Sequence, residues 1–137
     1  MRTHLSFETT PGVAIDAEAG ARLAARLTAA LTARGIEATV PSALDYAHEF
    51  EIRHGGQKFY SMLGPANDGV RQWLWFADST LGAVGRWLGR RDDTAHVAVL
   101  RAMDQVVRDL GATSIRWYEA IDWNEAPDER WHPDPVV

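Results

Sequence analysis

The stretch from Ala47 to Asp78 constrains the fold more than any other part of the chain. Its first segment, HEFEIR at 48–53, alternates polar with apolar side chains, as a strand with one buried face does. Gly55 and Gly56 come next and accept the positive φ angles that a tight hairpin turn requires. Two segments rich in aromatic and aliphatic side chains follow, at 57–63 and 72–77. We therefore predict three successive antiparallel strands with an apolar face that helices cover.

Two long helices are predicted on either side of these strands. Asp16 is a suitable N-cap for a helix over 17–33 that is rich in Ala, Leu and Arg, and Gly35 follows its end. A second amphipathic helix starts at Asp93, carries apolar residues at helical spacing from Val99 to Leu110, and ends at Gly111. Its His96 is expected to lie on the surface.

The remaining segments complete an α+β fold. Short strands are predicted at 3–8, 36–40 and 114–121, and a glycine-weakened helix at 79–91. The order of elements is then β-α-β-β-β-β-(α)-α-β. We predict a two-layer α/β sandwich, in which a mostly antiparallel sheet of five or six strands packs against two long helices.

No repeat, low-complexity tract or linker divides the chain, so one domain is predicted. Residues 1–121 form its α/β body, and residues 122–137 form an acidic C-terminal strap that contains tryptophan and proline. Trp123 and Trp131 are expected to anchor this strap, because disordered tails are poor in aromatic residues.

Composition excludes several classes of function. The chain of 137 residues has no cysteine, which excludes disulfides and thiolate chemistry, and its net charge of −5 disfavours binding to nucleic acid. It has no run of about 18 apolar residues and no pattern of a signal peptide, so we expect a cytoplasmic protein with no membrane partner.

The polar residues of the segment 48–54 suggest two kinds of chemistry, metal binding and acid–base catalysis, and the sequence favours neither. His48 and His54 share one face, but six residues of strand separate them by about 20 Å, too far to share a metal ion. The carboxylates of Glu49 and Glu51 could lie about 7 Å apart, a spacing compatible with acid–base catalysis, although a solvated sheet face has the same pattern. We expect no metal, no cofactor and no catalytic residue.

Aromatic residues give the remaining functional signal. Trp73 and Trp75 point to one face of their strand, whereas Leu74 and Phe76 point to the other, so both faces are apolar. Either the strap covers the second face, or that face is a binding surface. The candidate binding residues are Trp73, Trp75, Tyr60, Glu49, Glu51, Trp123, Glu125, Asp128 and Glu129.

Three segments carry a resemblance to known proteins: Tyr46 to Tyr60, Trp73 to Phe76, and Ile115 to Tyr118. In element order and aromatic placement they resemble small uncharacterised bacterial cytoplasmic α/β proteins and, more loosely, the α/β immunity proteins that neutralise secreted toxins. The resemblance covers roughly residues 20–120 and transfers no functional residue. It implies a non-enzymatic, acidic inhibitor that caps the active site of a toxin or a surface beside it.

Three functions follow as hypotheses. The leading one is a non-catalytic protein-binding module, an immunity-type inhibitor whose partner is a cationic toxin domain. The first alternative is a small-molecule-binding protein or enzyme with a pocket between sheet and helices, lined by Trp73, Trp75 or Tyr60. The second is a homodimer of structural role, in which the spare aromatic face pairs with itself.

Overall fold

The computed structural model describes residues 1–9, 15–66, 72–80 and 93–135, and five successive strands lie between its two long helices. The strands are β1 (His4–Glu8), β2 (Glu37–Ala38), β3 (Ser42–Ala43), β4 (His48–His54), β5 (Gln57–Pro65), β6 (Gln72–Ser79) and β7 (Thr113–Tyr118). The helices are α1 (Ala17–Ala33), α2 (Thr94–Asp109) and α3 (Ala120–Glu125). Of the helix predicted at 79–91, the part beyond residue 80 lies outside the described residues.

A single antiparallel sheet organises the fold. Within the described ranges it has seven strands in the order β2-β4-β5-β6-β1-β7, and β3 also pairs with β4. Every pairing is antiparallel, as predicted, but the expected five or six strands were too few. The first strand of the chain lies between β6 and β7 and joins the central hairpins to the C-terminal strand.

The predicted β4–β5 hairpin is confirmed. Gly55 and Gly56 adopt φ angles of 58° and 75°, which is the conformation that a two-residue primed turn needs. The register that follows pairs Ile52 with Phe59 and Phe50 with Ser61. These four residues belong to the buried face of the sheet.

Helices α1 and α2 cover that buried face. The Asp16 carboxylate accepts a 2.7 Å hydrogen bond from the Ala19 amide and caps α1, and Gly35 after its end has a φ of 82°. Leucines at helical spacing in α1 and the apolar stripe of α2 share one core with the sheet. An ion pair between Arg34 and Asp109 joins the C-terminal ends of the two helices.

Two predicted strand boundaries are wrong, and local chemistry explains each of them. Residues 36–40 contribute only the two-residue strand β2, because the Glu51 amide donates to the Thr39 hydroxyl at 2.9 Å rather than to a backbone carbonyl, which interrupts the ladder. The last strand ends at Tyr118 and not at residue 121, because the chain turns at Glu119 and begins α3. The division at residue 121 therefore falls inside a helix, and this short third helix accompanies the two long ones.

Candidate functional site

The two faces of the sheet separate the predicted site residues into two groups. Trp73 and Trp75 face the helices and are 3% and 0% exposed, so both rings lie in the core and not on the surface. The reason is the strand period, which places both rings beside the apolar stripes of α1 and α2. Glu49, Glu51 and Tyr60 point to the opposite side, which we call the outer face.

The C-terminal segment covers one end of the outer face. Trp123 of α3 packs edge to face on Tyr118, with ring centroids 5.0 Å apart, and it also contacts Ala66 and Leu74. Further along, His132 and Trp117 exchange two backbone hydrogen bonds of 2.8 and 2.9 Å. Cover by the strap, one of the two interpretations of the second apolar face, is therefore correct at this end.

The acidic side chains of the strap lie beside this cover. Asp128 and Glu129 are exposed, whereas Glu125 is 3.8 Å from the Arg130 guanidinium, which also lies 3.4 Å from Asp122. Trp131 is 40% exposed, and Arg116 lies over its ring at 4.8 Å from the centroid. Since Trp123 is used in internal packing, the strap presents its carboxylates and the partly exposed Trp131 ring.

At the other end of the outer face, Tyr60 and Glu49 form the strongest polar contact. The Tyr60 hydroxyl donates a 2.6 Å hydrogen bond to Glu49 Oε2. This bond stabilises the protonated phenol and raises the pKa of Tyr60 to about 12, with smaller contributions from burial and from the charge of Glu49. The Tyr60 ring packs at a tilt against Phe76, 6.1 Å between centroids, and its hydroxyl end is therefore held in one place.

A second polar group continues the surface along β4. The Arg53 guanidinium donates to Glu51 Oε2 at 2.7 Å and lies 3.6 Å from Glu37 on the edge strand β2. Glu49 accepts the hydrogen bond from Tyr60, so each carboxylate of the predicted acid–base pair has a partner within the protein. Neither is positioned against a third catalytic group in the described residues.

These residues border a shallow cleft, which we call the β4 cleft. Its volume is about 280 Å³, and its lining consists of Thr39, Val40, Ser42, Glu49, Phe50, Glu51, Tyr60 and Thr80. Val40 is 86% exposed at its rim. Four of the seven exposed large hydrophobic residues in the described part of the chain lie between residues 40 and 60: Val40, Leu44, Tyr46 and Tyr60.

The surroundings of the β4 cleft are acidic. Its lining includes two carboxylates, those of Glu49 and Glu51, and no lysine or arginine among the described residues. The strap carboxylates form a separate group, because three strand spacings lie between β5 and β7, or about 14 Å. The structure therefore divides the predicted binding residues into a core pair, the β4 cleft and the strap.

Sequence reasoning missed three of the exposed apolar residues, namely Val40, Leu44 and Tyr46. A signal was present for Leu44 and Tyr46, which lie between Pro41 and β4 outside any periodic pattern, whereas Val40 ends the alternating segment 36–40 and gave none. Apolar residues in a polar connection are informative when they form a patch.

A second concavity lies on the helix side of the sheet, between the start of α1 and the ends of β5 and β6. It has a volume of about 160 Å³ and includes Gly20, His48 and Trp73 in its lining. We call it the α1 cavity. It lies between sheet and helices, where the small-molecule hypothesis expects a pocket, and Trp73 is among the residues that line it.

We also searched the described residues for a metal site and for a membrane-spanning helix. No group of three or more His, Asp or Glu side chains among those residues is placed to hold a metal ion. None of the described helices combines the length and the apolar character needed to cross a membrane. Comparison with protein-family models, with curated proteins and with solved structures found no match.

Proposed function

We propose that this protein is a non-catalytic protein-binding module whose β4 cleft receives a basic surface of another protein. The observation that carries the proposal is the combination of exposed Val40 and Tyr60 with the carboxylates of Glu49 and Glu51 in one cleft. Tyrosine is enriched among the residues that dominate binding energy at protein interfaces, and complementary charge guides a cationic partner to an acidic surface.

The internal contacts of the cleft favour binding over catalysis. The Tyr60–Glu49 hydrogen bond and the Arg53–Glu51 ion pair fix these side chains before a partner arrives, so less side-chain entropy is lost on association. The edge strands beside the cleft, β2 and β3, have only two residues each. Recognition by side chains therefore fits this surface better than the addition of a long strand from a partner.

The kind of partner that we propose is a cationic toxin domain, which the protein would inhibit as immunity-type proteins do, by covering its working surface. The net charge of −5 and the acidic cleft support this choice. Active sites that act on phosphate groups carry basic residues, and an acidic cover binds such a surface without any chemistry of its own.

A second copy of this chain is a less favourable occupant of the cleft than a basic partner protein. A two-fold symmetric dimer brings the same patch of each copy together, so Glu49 and Glu51 would face an identical acidic group. Like charges in an interface oppose association. Sedimentation of the purified protein tests this directly: we expect a monomer, whereas a dimer that Glu49→Gln/Glu51→Gln strengthens would have the cleft in its interface.

The main experiment measures binding to purified proteins encoded beside this gene, by calorimetry, with two double variants of matched charge. Glu49→Lys/Glu51→Lys changes the β4 cleft, and Asp128→Lys/Glu129→Lys changes the strap. We expect micromolar or tighter binding that only the first variant weakens, by about tenfold or more. Loss of binding in the strap variant alone would move the interface to the strap. The absence of any binding at micromolar concentration would refute the protein-binding function.

A further inference from the structure

We propose that the α1 cavity is a binding site for a small organic amine, with an apolar body the size of one ring and a cationic nitrogen. This site lies on the helix side of β4 and is separate from the β4 cleft on the outer face. The proposal does not depend on the protein-binding function.

The size of the cavity sets the size of the ligand. Its volume of about 160 Å³ is close to the roughly 150 Å³ of engineered apolar cavities that bind benzene. Most of its wall is apolar, including Leu44, Leu63 and Trp73. A single aromatic ring or a short branched alkyl group fills such a space.

His48 supplies a polar group in the wall of this space. It is 8% exposed and lines the cavity, and no hydrogen bond or ion pair joins its ring to another of the described residues. A ring nitrogen without a protein partner is open to a hydrogen bond from a bound molecule. An imidazole nitrogen can accept a hydrogen bond from an N–H group of a bound amine.

Gly20 keeps the helix close to the histidine. A Cβ atom at this position would lie 3.1 Å from His48 Cε1 and Nδ1, and 3.5 Å from Trp73 Cζ3. Glycine has a low helix propensity, and here its use within α1 has a steric reason. A methyl group at residue 20 would push the imidazole toward the cavity.

The charged residues around the cavity favour a cationic ligand. The Asp16 and Asp45 carboxylates line the cavity, whereas no lysine or arginine lines it among the described residues. The positive end of the α1 dipole lies nearby, but Asp16 already accepts the Ala19 amide and offsets it with a full negative charge. The rings of Tyr46 and Trp73 add faces that attract a cation.

The experiment uses three probes of equal size and different charge: benzylamine, benzyl alcohol and benzoate. Binding to the full chain is followed by NMR, through the His48 ring and Trp73 indole signals. We expect benzylamine to bind most tightly and benzoate not to bind. Equal binding of all three probes, or none by any of them, would overturn the proposal.

Variants of the lining residues test whether the probe binds in the cavity. Gly20→Ala and His48→Phe should each weaken benzylamine binding by about tenfold, the first by occupying space and the second by removing the acceptor. Asp45→Asn should weaken it by about two- to fivefold, whereas Glu37→Gln, which removes a carboxylate on the outer face, should not. Circular dichroism confirms that each variant is folded. Unchanged binding in all the cavity variants would show that the amine binds elsewhere.

A lysine side chain of another protein carries the same kind of cationic nitrogen. An acetylated and amidated peptide with one lysine distinguishes the two sources. Binding of benzylamine without binding of the peptide supports a free amine as the ligand. Binding of the peptide alone would refute it.

Discussion

Tyr118 and Trp123 meet edge to face with their ring centroids 5.0 Å apart, and this contact attaches the C-terminal helix to the outer face of the sheet. Tyr118 is the last residue of β7, and Trp123 lies five positions further on, in the middle of α3. This aromatic pair therefore joins the end of β7 to α3 and covers one end of the outer face.

The first prediction follows from that pair. Deleting residues 122–137 should lower the unfolding midpoint, because it removes Trp123 and the backbone pairing of His132 with Trp117. Trp123→Ala alone should cost about 2–3 kcal/mol, somewhat less than a central core aromatic. The matched Trp131→Ala should cost about 1 kcal/mol or less, since that ring is 40% exposed. A truncated chain that melts where the full chain does would contradict the role of the strap.

Much of the fold was predictable, because its main signals are local. The hairpin at Gly55 and Gly56, the capping of α1 by Asp16 and the periodic stripe of α2 each depend on neighbours in sequence. The insertion of β1 between β6 and β7 depends on contacts more than sixty residues apart, which no local pattern contains.

The site was less predictable, for the same reason. Alternation predicted that Trp73 and Trp75 share a face, but not that both long helices cover that face. His96 was expected on the surface, yet it is 7% exposed, lies 2.8 Å from the carbonyl oxygen of Ala77 and packs on Phe59. Asp92 and Asp93, just before it in the sequence, suggested a surface position, but the packing of α2 on β6 buries the imidazole ring.

The ionisation of Tyr60 tests the geometry of the β4 cleft. Tyrosinate absorbance should show Tyr60 ionising at about 12 rather than near its ordinary pKa of 10.0. Glu49→Gln should bring that pKa back toward 10.0, because the carboxylate acceptor and its negative charge are both removed. Glu51→Gln is the control, since Glu51 pairs with Arg53. An identical titration in all three proteins would show that the Tyr60–Glu49 bond does not form in solution.

His4 gives the stability a specific dependence on pH. Burial lowers the pKa of His4 below 6.5, and the charge of Asp78 opposes this only in part. The folded state therefore favours neutral His4, whose contribution is present above pH 6.5 and is lost as the pH falls through the lowered value. Urea unfolding between pH 7 and pH 5 should show a decline that His4→Gln flattens. In Asp78→Asn the decline should extend to lower pH, and a variant series with equal slopes would argue against this assignment.

Ser61 and Ser6 form a matched pair of buried hydroxyls in the sheet. Both are 0% exposed, but Ser61 Oγ has no hydrogen-bond partner among the described residues, whereas Ser6 Oγ lies 3.5 Å from the Tyr118 hydroxyl. Ser61→Ala should therefore be neutral or stabilising by up to about 1 kcal/mol, because it removes an unpaired polar atom from the core. Ser6→Ala should not be stabilising. Chemical denaturation measures both, and a clear loss of stability in Ser61→Ala would mean that its hydroxyl has a partner.

The last prediction concerns the hydrogen bond that Trp117 makes with α2. The fully buried indole donates through Nε1 to Asp104 Oδ1 at 2.9 Å, while Oδ2 of the same carboxylate accepts from Arg108. Asp104→Ala should cost about 1–3 kcal/mol, because the indole N–H is left without its acceptor.

Two variants separate this bond from the ion pair on the helix surface. Asp104→Asn keeps an oxygen acceptor and should lose less stability than Asp104→Ala. Arg108→Ala keeps the indole acceptor; it removes the cation of an i,i+4 pair, worth about 0.5 kcal/mol, and the 2.8 Å hydrogen bond from Arg108 to the Pro133 carbonyl oxygen, worth about 0.5–1.5 kcal/mol. Denaturant unfolding gives the order of stability, and hydrogen exchange of the Trp117 indole reports the bond directly. Slow exchange that persists in Asp104→Ala would show that packing against Trp75, 6.2 Å away between ring centroids, protects the indole without the carboxylate.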